Sequence, residues 1–374
     1  MKIPARRILV ILTRRIGDVL LVTPLLRSLR AAYPDAFLAA LVYRGTEGAL
    51  AGNPDLDQVI TLSERPGWAE YWQLVRRWTR RFDLAVCALS GDRPHYLGLL
   101  TASRRVGLVP EPAGALPWKR WLSHAWTPLD NRHLHRVEQY LRLADCLDIP
   151  RHPELVPPQD PGALPVLAAR LGWDPQQTPF AVLHPTPKFH YKRWHPAGWR
   201  DLIGHLAGRG LRLVITGGPD PAELAYLKQL LAPCPLPLDN LAGCLDLAQT
   251  AELIRRARLF VGVDTAITHL AAASGVPLVA LFGPTSQVKW APWPQGHASP
   301  APPFPNPGRV QRVGMVTLVQ GPGDCVPCDE EGCDHHLTSR SRCLDQLTSD
   351  RVIEAVDAAL ARSAAGTASA AHPD

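Results

Sequence analysis

The sequence predicts an α/β protein of two domains, each a parallel sheet with helices packed on its faces. Three observations carry that prediction. Short apolar, β-branched runs alternate with helical segments over residues 6–150 and again from Phe180 onward, the pattern of repeated βα units. A proline-rich stretch, 150–179, separates the two series as a linker around a short helix at 164–171. And 374 residues are enough for two cores of ordinary size. The expected division is 1–155, a linker over 156–178, a second domain over 179–348, a terminal helix over 349–362 and a disordered tail over 363–374.

In the first half, residues 8–12 read as a strand, Gly17-Asp18 as a turn, and the segment to Ala32 as a helix. Leu21, Leu25, Leu26 and Leu29 share one side of it, and Thr23-Pro24 marks a restart or kink, because proline is tolerated only near a helix start. Residues 37–42, 59–62 and 84–89 read as further strands, with a Trp- and Arg-rich helix over 68–81, and Val106-Gly107 suggests another. Between 104 and 136 the chain gathers Arg104, Arg105, Lys119, Arg120, Arg132 and Arg136 around Trp118, Trp121 and Trp126. Such a mixture suits a membrane-interface or sugar-phosphate surface, and equally a loop packed by its own tryptophans.

The second half restarts with a strand over 180–183 that ends in His184-Pro185-Thr186. A helix over 196–209, a strand over 211–216, the turn Gly217-Gly218-Pro219 and helices over 222–231 and 247–256 follow. The centre of this half is 258–284, a βαβ unit: strand 259–263, Asp264-Thr265, a helix with Ile267, Leu270 and Ala271 on one side, a Gly275 stop, and strand 278–282. Ligands of open α/β sheets bind at the carboxyl ends of strands, where a helix start offers N–H groups to an anion. Capping alone would explain Asp264 or Thr265, but not His269 on the same first turns.

Composition narrows the function classes. A hydrophobic fraction of 46% and a charged fraction of 20% describe a soluble globular chain, and no apolar run approaches the ~20 residues of a membrane span. The basic start is followed by only five apolar residues before Arg14 and Arg15, which does not read as a signal peptide. Net charge +6 favours acidic partners, a phosphorylated substrate or an anionic membrane; no nucleic-acid motif is present. No G-x-G-x-x-G follows the first strand, which disfavours a dinucleotide oxidoreductase. Of eight cysteines, Cys325, Cys328, Cys333 and Cys343 cluster as C-x2-C-x4-C-x9-C with His335 and His336 inside. That spacing suits a tetrahedral structural zinc; buried thiols or a redox-labile disulfide are the alternatives.

Several pieces, in their order, resemble glycosyltransferase family nine, the ADP-heptose lipopolysaccharide heptosyltransferases. They are ILVILTRRIGDVLLVTPLLRSLR at the start, NPDLDQVI at 53–60, KRW at 192–194, VITGGPDPAE at 214–223, LAG at 241–243 and VGVDTAITHLAAASGVPLVALFGPT at 261–285. RIGD, Trp290, Trp293 and the segment GDCVPCDEEGC…SRCL look most like the heptosyltransferase III branch, which adds a side heptose to the inner core. The resemblance implies two Rossmann-like domains facing a cleft, a GT-B-type glycosyltransferase with the nucleotide-sugar on the C-terminal domain and the acceptor on the N-terminal one. It also implies an inverting transfer without a catalytic metal, with ADP-heptose and a phosphorylated lipopolysaccharide core as partners. The setting would be the cytoplasm of a Gram-negative cell, peripheral to the inner membrane.

Carried over by residue, the resemblance makes Asp18 the general base and Lys192 a phosphate contact, with Arg193 assisting or merely on the surface. Thr265 and Ala266 offer backbone N–H groups to the phosphates, and Asp264 and His269 lie near the donor; Ala266 stands where the family commonly has glycine. Glu223 or Asp220 would hold the ribose, unless either simply starts the following helix. Thr186, Lys188 and Gly217 are further donor contacts, and Arg14, Arg15 and Arg120 acceptor contacts. A relative with another nucleotide-sugar or acceptor, or a non-catalytic nucleotide-sugar-binding protein, are the rival readings. The presence of both Asp18 and Lys192 counts against the last.

Overall fold

The computed structural model describes residues 3–110, 118–234, 237–299 and 301–370, with side chains to 362. The chain divides into two compact units, Met1–Pro158 with Gly296–Pro302, and Gln159–Gln295 with Pro303–Asp374. The proline-rich segment expected as a linker therefore belongs mostly to the second unit. Its helix, Ala163–Leu171, buries Ala163, Leu167 and Leu171 and is closed by Gly172 in the left-handed region at φ 70°.

The first unit holds a six-stranded parallel sheet: β1 Arg7–Leu12, β2 Phe37–Tyr43, β3 Gln58–Leu62, β4 Phe82–Cys87, β5 Ala102–Pro110 and β6 Ala125–Leu129, in the order β3-β2-β1-β4-β5-β6. Strand β1 is buried along nearly its whole length, as its unbroken apolar run requires of a strand covered on both faces. The predicted first helix is two: Ile16–Leu21 and Thr23–Ala32, joined at Val22 with Pro24 in the first turn of the second. Asp18 is thus in a helical first turn, not in an open turn. Strand β6 was not expected within the Trp- and Arg-rich stretch; it lies at the sheet edge, where Pro128 is tolerated.

The second unit holds β7 Phe180–His184, β8 Arg212–Ile215, β9 Asp239–Asn240, β10 Leu259–Val263, β11 Leu278–Phe282, β12 Val310–Val313 and β13 Val316–Gln320. The order is β12-β13-β11-β10-β7-β8-β9, parallel except for the β12–β13 hairpin, which the proline-rich sequence after Trp293 did not reveal. Trp194 and Trp199 are fully buried beneath this sheet, and the Trp194 indole N–H donates to the Leu347 carbonyl at 2.8 Å. Gly198 has to be glycine here, since a Cβ would come within 2.2 Å of the Trp194 ring. The last helix is longer than the expected 349–362 and spans Ser349–Ala370, with Val352, Val356 and Ala359 in the same core.

In each sheet the strand order reverses beside a central strand. In the first, β1 starts the run towards β3, and β4 the run towards β6. In the second, β10 and β7 play those parts. These are the switch points at whose carboxyl ends α/β sheets bind ligands. Asp18 follows β1, Asp264 and Thr265 follow β10, and Thr186 follows β7.

Candidate functional site in each unit

In the first unit, helix Ile16–Leu21 brings Asp18 to the carboxyl end of β1 and buries it to 5% exposure. The helix is preceded by Arg15, whose side chain makes no capping bond, and Asp18 is turned elsewhere. The Tyr140 hydroxyl donates to Asp18 Oδ1 at 3.1 Å, and Arg14 Nε donates to Oδ2 at 3.4 Å. Asp18 raises the pKa of the Arg14 guanidinium above its ordinary value; burial and Asp18 together push the Tyr140 phenol well above 10. Tyr140 therefore stays a protonated donor, and Asp18 is a buried carboxylate with one donor on each oxygen.

Asp18 lies on the wall of a cavity of about 480 Å³ at the carboxyl ends of β1, β4, β5 and β6. Arg14, Arg93, Asn131 and Arg136 also line it. Arg93 is fixed by Tyr43 Oη at 2.6 Å and the Glu64 carbonyl at 2.8 Å, and Arg136 Nη2 reaches Asn131 Oδ1 at 3.3 Å. Lys119, buried, bonds the Ser90 carbonyl and Asp92 at 2.7 Å each and so braces the same wall. Three arginines against two carboxylates, Asp18 and Asp92, leave the lining net positive and favour an anionic occupant, while Asp18 on the wall can accept a proton.

In the second unit, Lys192 Nζ donates to Asp264 Oδ2 at 2.5 Å. Burial pushes the Asp264 carboxyl up, but Lys192, His269 and the Thr285 hydroxyl outweigh it and hold the group below its ordinary value. The cap of helix Ala266–Ala273 is Thr265, whose Oγ1 accepts from the Thr268 N–H at 3.3 Å; Asp264 is left to the lysine. Lys192 sits in the short turn His190–Lys192, pinned two residues later by the buried Trp194. Across the switch point, a Cβ on Gly217 would come within 3.0 Å of Thr186 Oγ1, so the glycine gives the Thr186 hydroxyl its room. That hydroxyl is buried and has no hydrogen-bond partner among the described residues. His184, beside it, bonds Thr216 Oγ1 at 3.0 Å, and burial lowers its pKa to about 4, so it is neutral. A cation, a helix N-terminus and small residues at strand ends make an anion-binding floor.

Other residues singled out in the sequence have partners of their own. Asp220 caps helix Pro221–Leu231, accepting from Ala222 and Glu223 N–H, and Glu223 turns back to accept the Gly218 N–H at 3.0 Å. Both carboxylates thus hold the turn together. Arg193 stacks on the Tyr226 ring at 4.4 Å and Arg120 on the Trp126 ring at 4.3 Å. Arg15 and Lys188 are exposed. Tyr140, Arg93 and Lys119 were missed as site residues. Only Lys119 had a signal, its place in the Arg- and Trp-rich stretch; a tyrosine on a helix otherwise reads as core.

The four clustered cysteines stay near one another, Cys325, Cys328 and Cys333 each acting electrostatically on Cys343. Among the described residues no three His, Cys, Asp or Glu side chains are arranged to hold a metal ion. Cys325, Cys328 and Cys333 are exposed, whereas Cys343 is buried against Gly283, with Sγ 3.4 Å from where a Cβ there would lie. Burial first, and then the neighbouring thiols, push Cys343 up to about 12.

The family model for glycosyltransferase family 9 (heptosyltransferase) matches residues 99–298, more than half the chain. Lipopolysaccharide heptosyltransferase 3 of Escherichia coli is 28% identical over 286 residues, 74% of this chain and 83% of that protein. Lipopolysaccharide heptosyltransferase 1 of Pseudomonas aeruginosa is 27% identical over 367 residues, 91% of each. Among solved structures, a glycosyl transferase of family 9 from Veillonella parvula superposes with a TM-score of 0.77 at 18% identity, covering 97% of this chain and 99% of that one. The ADP-heptose lps heptosyltransferase II of E. coli superposes at 0.71 and 22% identity, covering 95% and 99%. At such identities the structures show a shared fold.

Proposed function

The chain belongs to glycosyltransferase family 9, the heptosyltransferases, and from that membership we propose that it moves heptose from ADP-heptose to the inner core of lipopolysaccharide, with inversion. The observation that carries the reading is Asp18, a buried carboxylate held by Arg14 and Tyr140 at the wall of a basic cavity. An acceptor hydroxyl attacks the anomeric carbon and forms the new C–O bond. The bond from that carbon to the diphosphate breaks, and ADP leaves with its electron pair. Asp18 takes the hydroxyl proton as the bond forms, for which a modest but well-placed base suffices.

The charge that develops on the leaving diphosphate is assigned to Lys192 and the N–H groups of Thr265 and Ala266, rather than to a metal ion. Asp264 holds the Lys192 ammonium in place, with His269 and Thr285 behind it, and Thr186 and Gly217 border the same floor. Arg14, Arg93 and Arg136 would receive the phosphates of the core acceptor. Such an acceptor is lipid-linked, so the enzyme would work at the cytoplasmic face of the inner membrane; no described helix is long and apolar enough to cross one.

The test is incubation of the purified chain with ADP-heptose and core acceptors lacking successive heptoses. One added heptose, seen by mass spectrometry on one acceptor and accompanied by equimolar ADP, is the expected result. Tight ADP-heptose binding with no acceptor modified would refute this assignment of acceptor, and transfer from a different nucleotide-sugar would refute that of the donor.

A further inference from the structure

We infer that the outer face of helix Trp68–Trp78, with the neighbouring Tyr96 and Trp121, docks on an anionic lipid surface. This deepens the reading of a lipid-linked acceptor, but it stands on exposure and charge alone. The inner side of the helix is ordinary core: Leu74 and Trp78 are buried, and the Trp78 ring stacks on Phe82 at 5.5 Å. The outer side is not. Trp68 is 84% exposed and Trp72, one turn on, 60%, and Arg76 continues the same stripe. Helix Trp68–Trp78 packs against helix Asp92–Thr101, which packs in turn against Trp118–Leu122; these carry Tyr96 at 49% and Trp121 at 81% exposure.

Large aromatic rings left in water on three adjacent helices mark an interaction surface. The charge around them says which kind. Residues 64–81 hold five arginines against two glutamates, and Glu70 is already taken by Arg44 at 2.8 Å. A second copy docking through the same face would set arginine against arginine, whereas an anionic headgroup layer supplies the opposite charge. Tryptophan prefers the headgroup level, and arginines reach outwards from apolar surface. At 11 residues the helix is about half the length of a membrane span, so it lies on the surface. Its neighbour, Asp92–Thr101, begins at the cavity wall with Asp92 and Arg93, so a docked lipid surface would lie within one helix length of the cavity that holds Asp18.

The experiment is co-sedimentation of the full chain with vesicles of phosphatidylglycerol and phosphatidylethanolamine, and with phosphatidylcholine vesicles. The wild type is expected to sediment with the anionic vesicles, and less so as salt is raised. Trp68→Ala/Trp72→Ala should weaken partitioning about tenfold or more, and Arg76→Gln/Arg77→Gln should weaken it for anionic vesicles alone. Because the removed rings are exposed, the thermal melt and transfer to a delipidated, water-soluble core acceptor should be unchanged. No binding to anionic vesicles, or equal binding by the tryptophan variant, would overturn the inference. So would a concentration-dependent dimer that the tryptophan variant loses. Vesicle binding without any transfer would count against the proposed reaction and leave the docking surface standing.

Discussion

Tyr140, fully buried on helix Arg136–Cys146, donates its hydroxyl to the carboxylate of Asp18, 122 residues earlier in the chain. The bond ties the end of β1 to a helix that closes the first unit, and it fixes which way the carboxylate points. Removing it with Tyr140→Phe leaves the ring in place and takes away one bond to a charged group, worth about 1.5–3 kcal/mol. The variant is expected to fold and to lose about 10- to 100-fold in kcat, with ADP-heptose affinity unchanged. Steady-state kinetics beside a calorimetric binding measurement would show the split.

Arg14 touches the other carboxylate oxygen with its side chain half in solvent. A cation there can serve both Asp18 and an incoming anion. Arg14→Gln should raise KM for the phosphorylated acceptor more than it lowers kcat, and the effect should shrink with a dephosphorylated acceptor. Equal losses on both acceptors would assign Arg14 to Asp18 alone.

The Lys192–Asp264 pair predicts both stability and donor binding. With the lysine present, Asp264 is held below its ordinary value of 3.8. The unfolded chain then binds more protons, so stability from this group is in force above 3.8 and lost as pH falls through the depressed value. Lys192→Met removes the main charge opposite a buried carboxylate and leaves it only His269 and the Thr285 hydroxyl, at a cost of about 3 kcal/mol. Burial then raises its pKa, and the variant should become less stable as pH rises from 4 towards 7, the reverse of the wild-type slope. Lys192→Met/Asp264→Asn should recover the melting temperature but not ADP affinity. Urea melts across pH would read the slopes.

His184 carries a second pH effect. Burial lowers it from 6.5 to about 4, so between those values the unfolded chain takes up a proton that the native one refuses. Stability should fall as pH drops below 6.5, by up to about 3 kcal/mol at pH 4. His184→Asn, able to keep a bond to Thr216, should flatten that part of the profile.

What the sequence revealed and what it hid have separate physical causes. The strand-ending motifs were legible because an unbroken apolar run followed by Asp or Thr at a helix start has few other uses, and Asp18, Asp264 and Thr265 all stand at strand ends beside a switch point. Asp220 and Glu223 were ambiguous because the same carboxylates that bind a ribose also cap helices, and here they cap and latch. Tyr140 was invisible because its partner is far away in sequence, and nothing local separates a positioning tyrosine from a core one. The hairpin β12–β13 was hidden by the proline-rich sequence before it, although β13 itself is fully buried. The cysteine spacing suggested a metal, a disulfide or buried thiols alike; Cys343 packs inward and Cys325, Cys328 and Cys333 are exposed, all three acting electrostatically on it.

The most direct test of the account is ADP release from ADP-heptose in Asp18→Asn, measured with and without a core acceptor. The asparagine keeps the size and can still accept from Tyr140 or Arg14, but cannot take a proton. The account predicts acceptor-dependent release reduced by about 100-fold or more, with ADP-heptose binding intact. Turnover within a few-fold of wild type would contradict it, and would move the base to another residue.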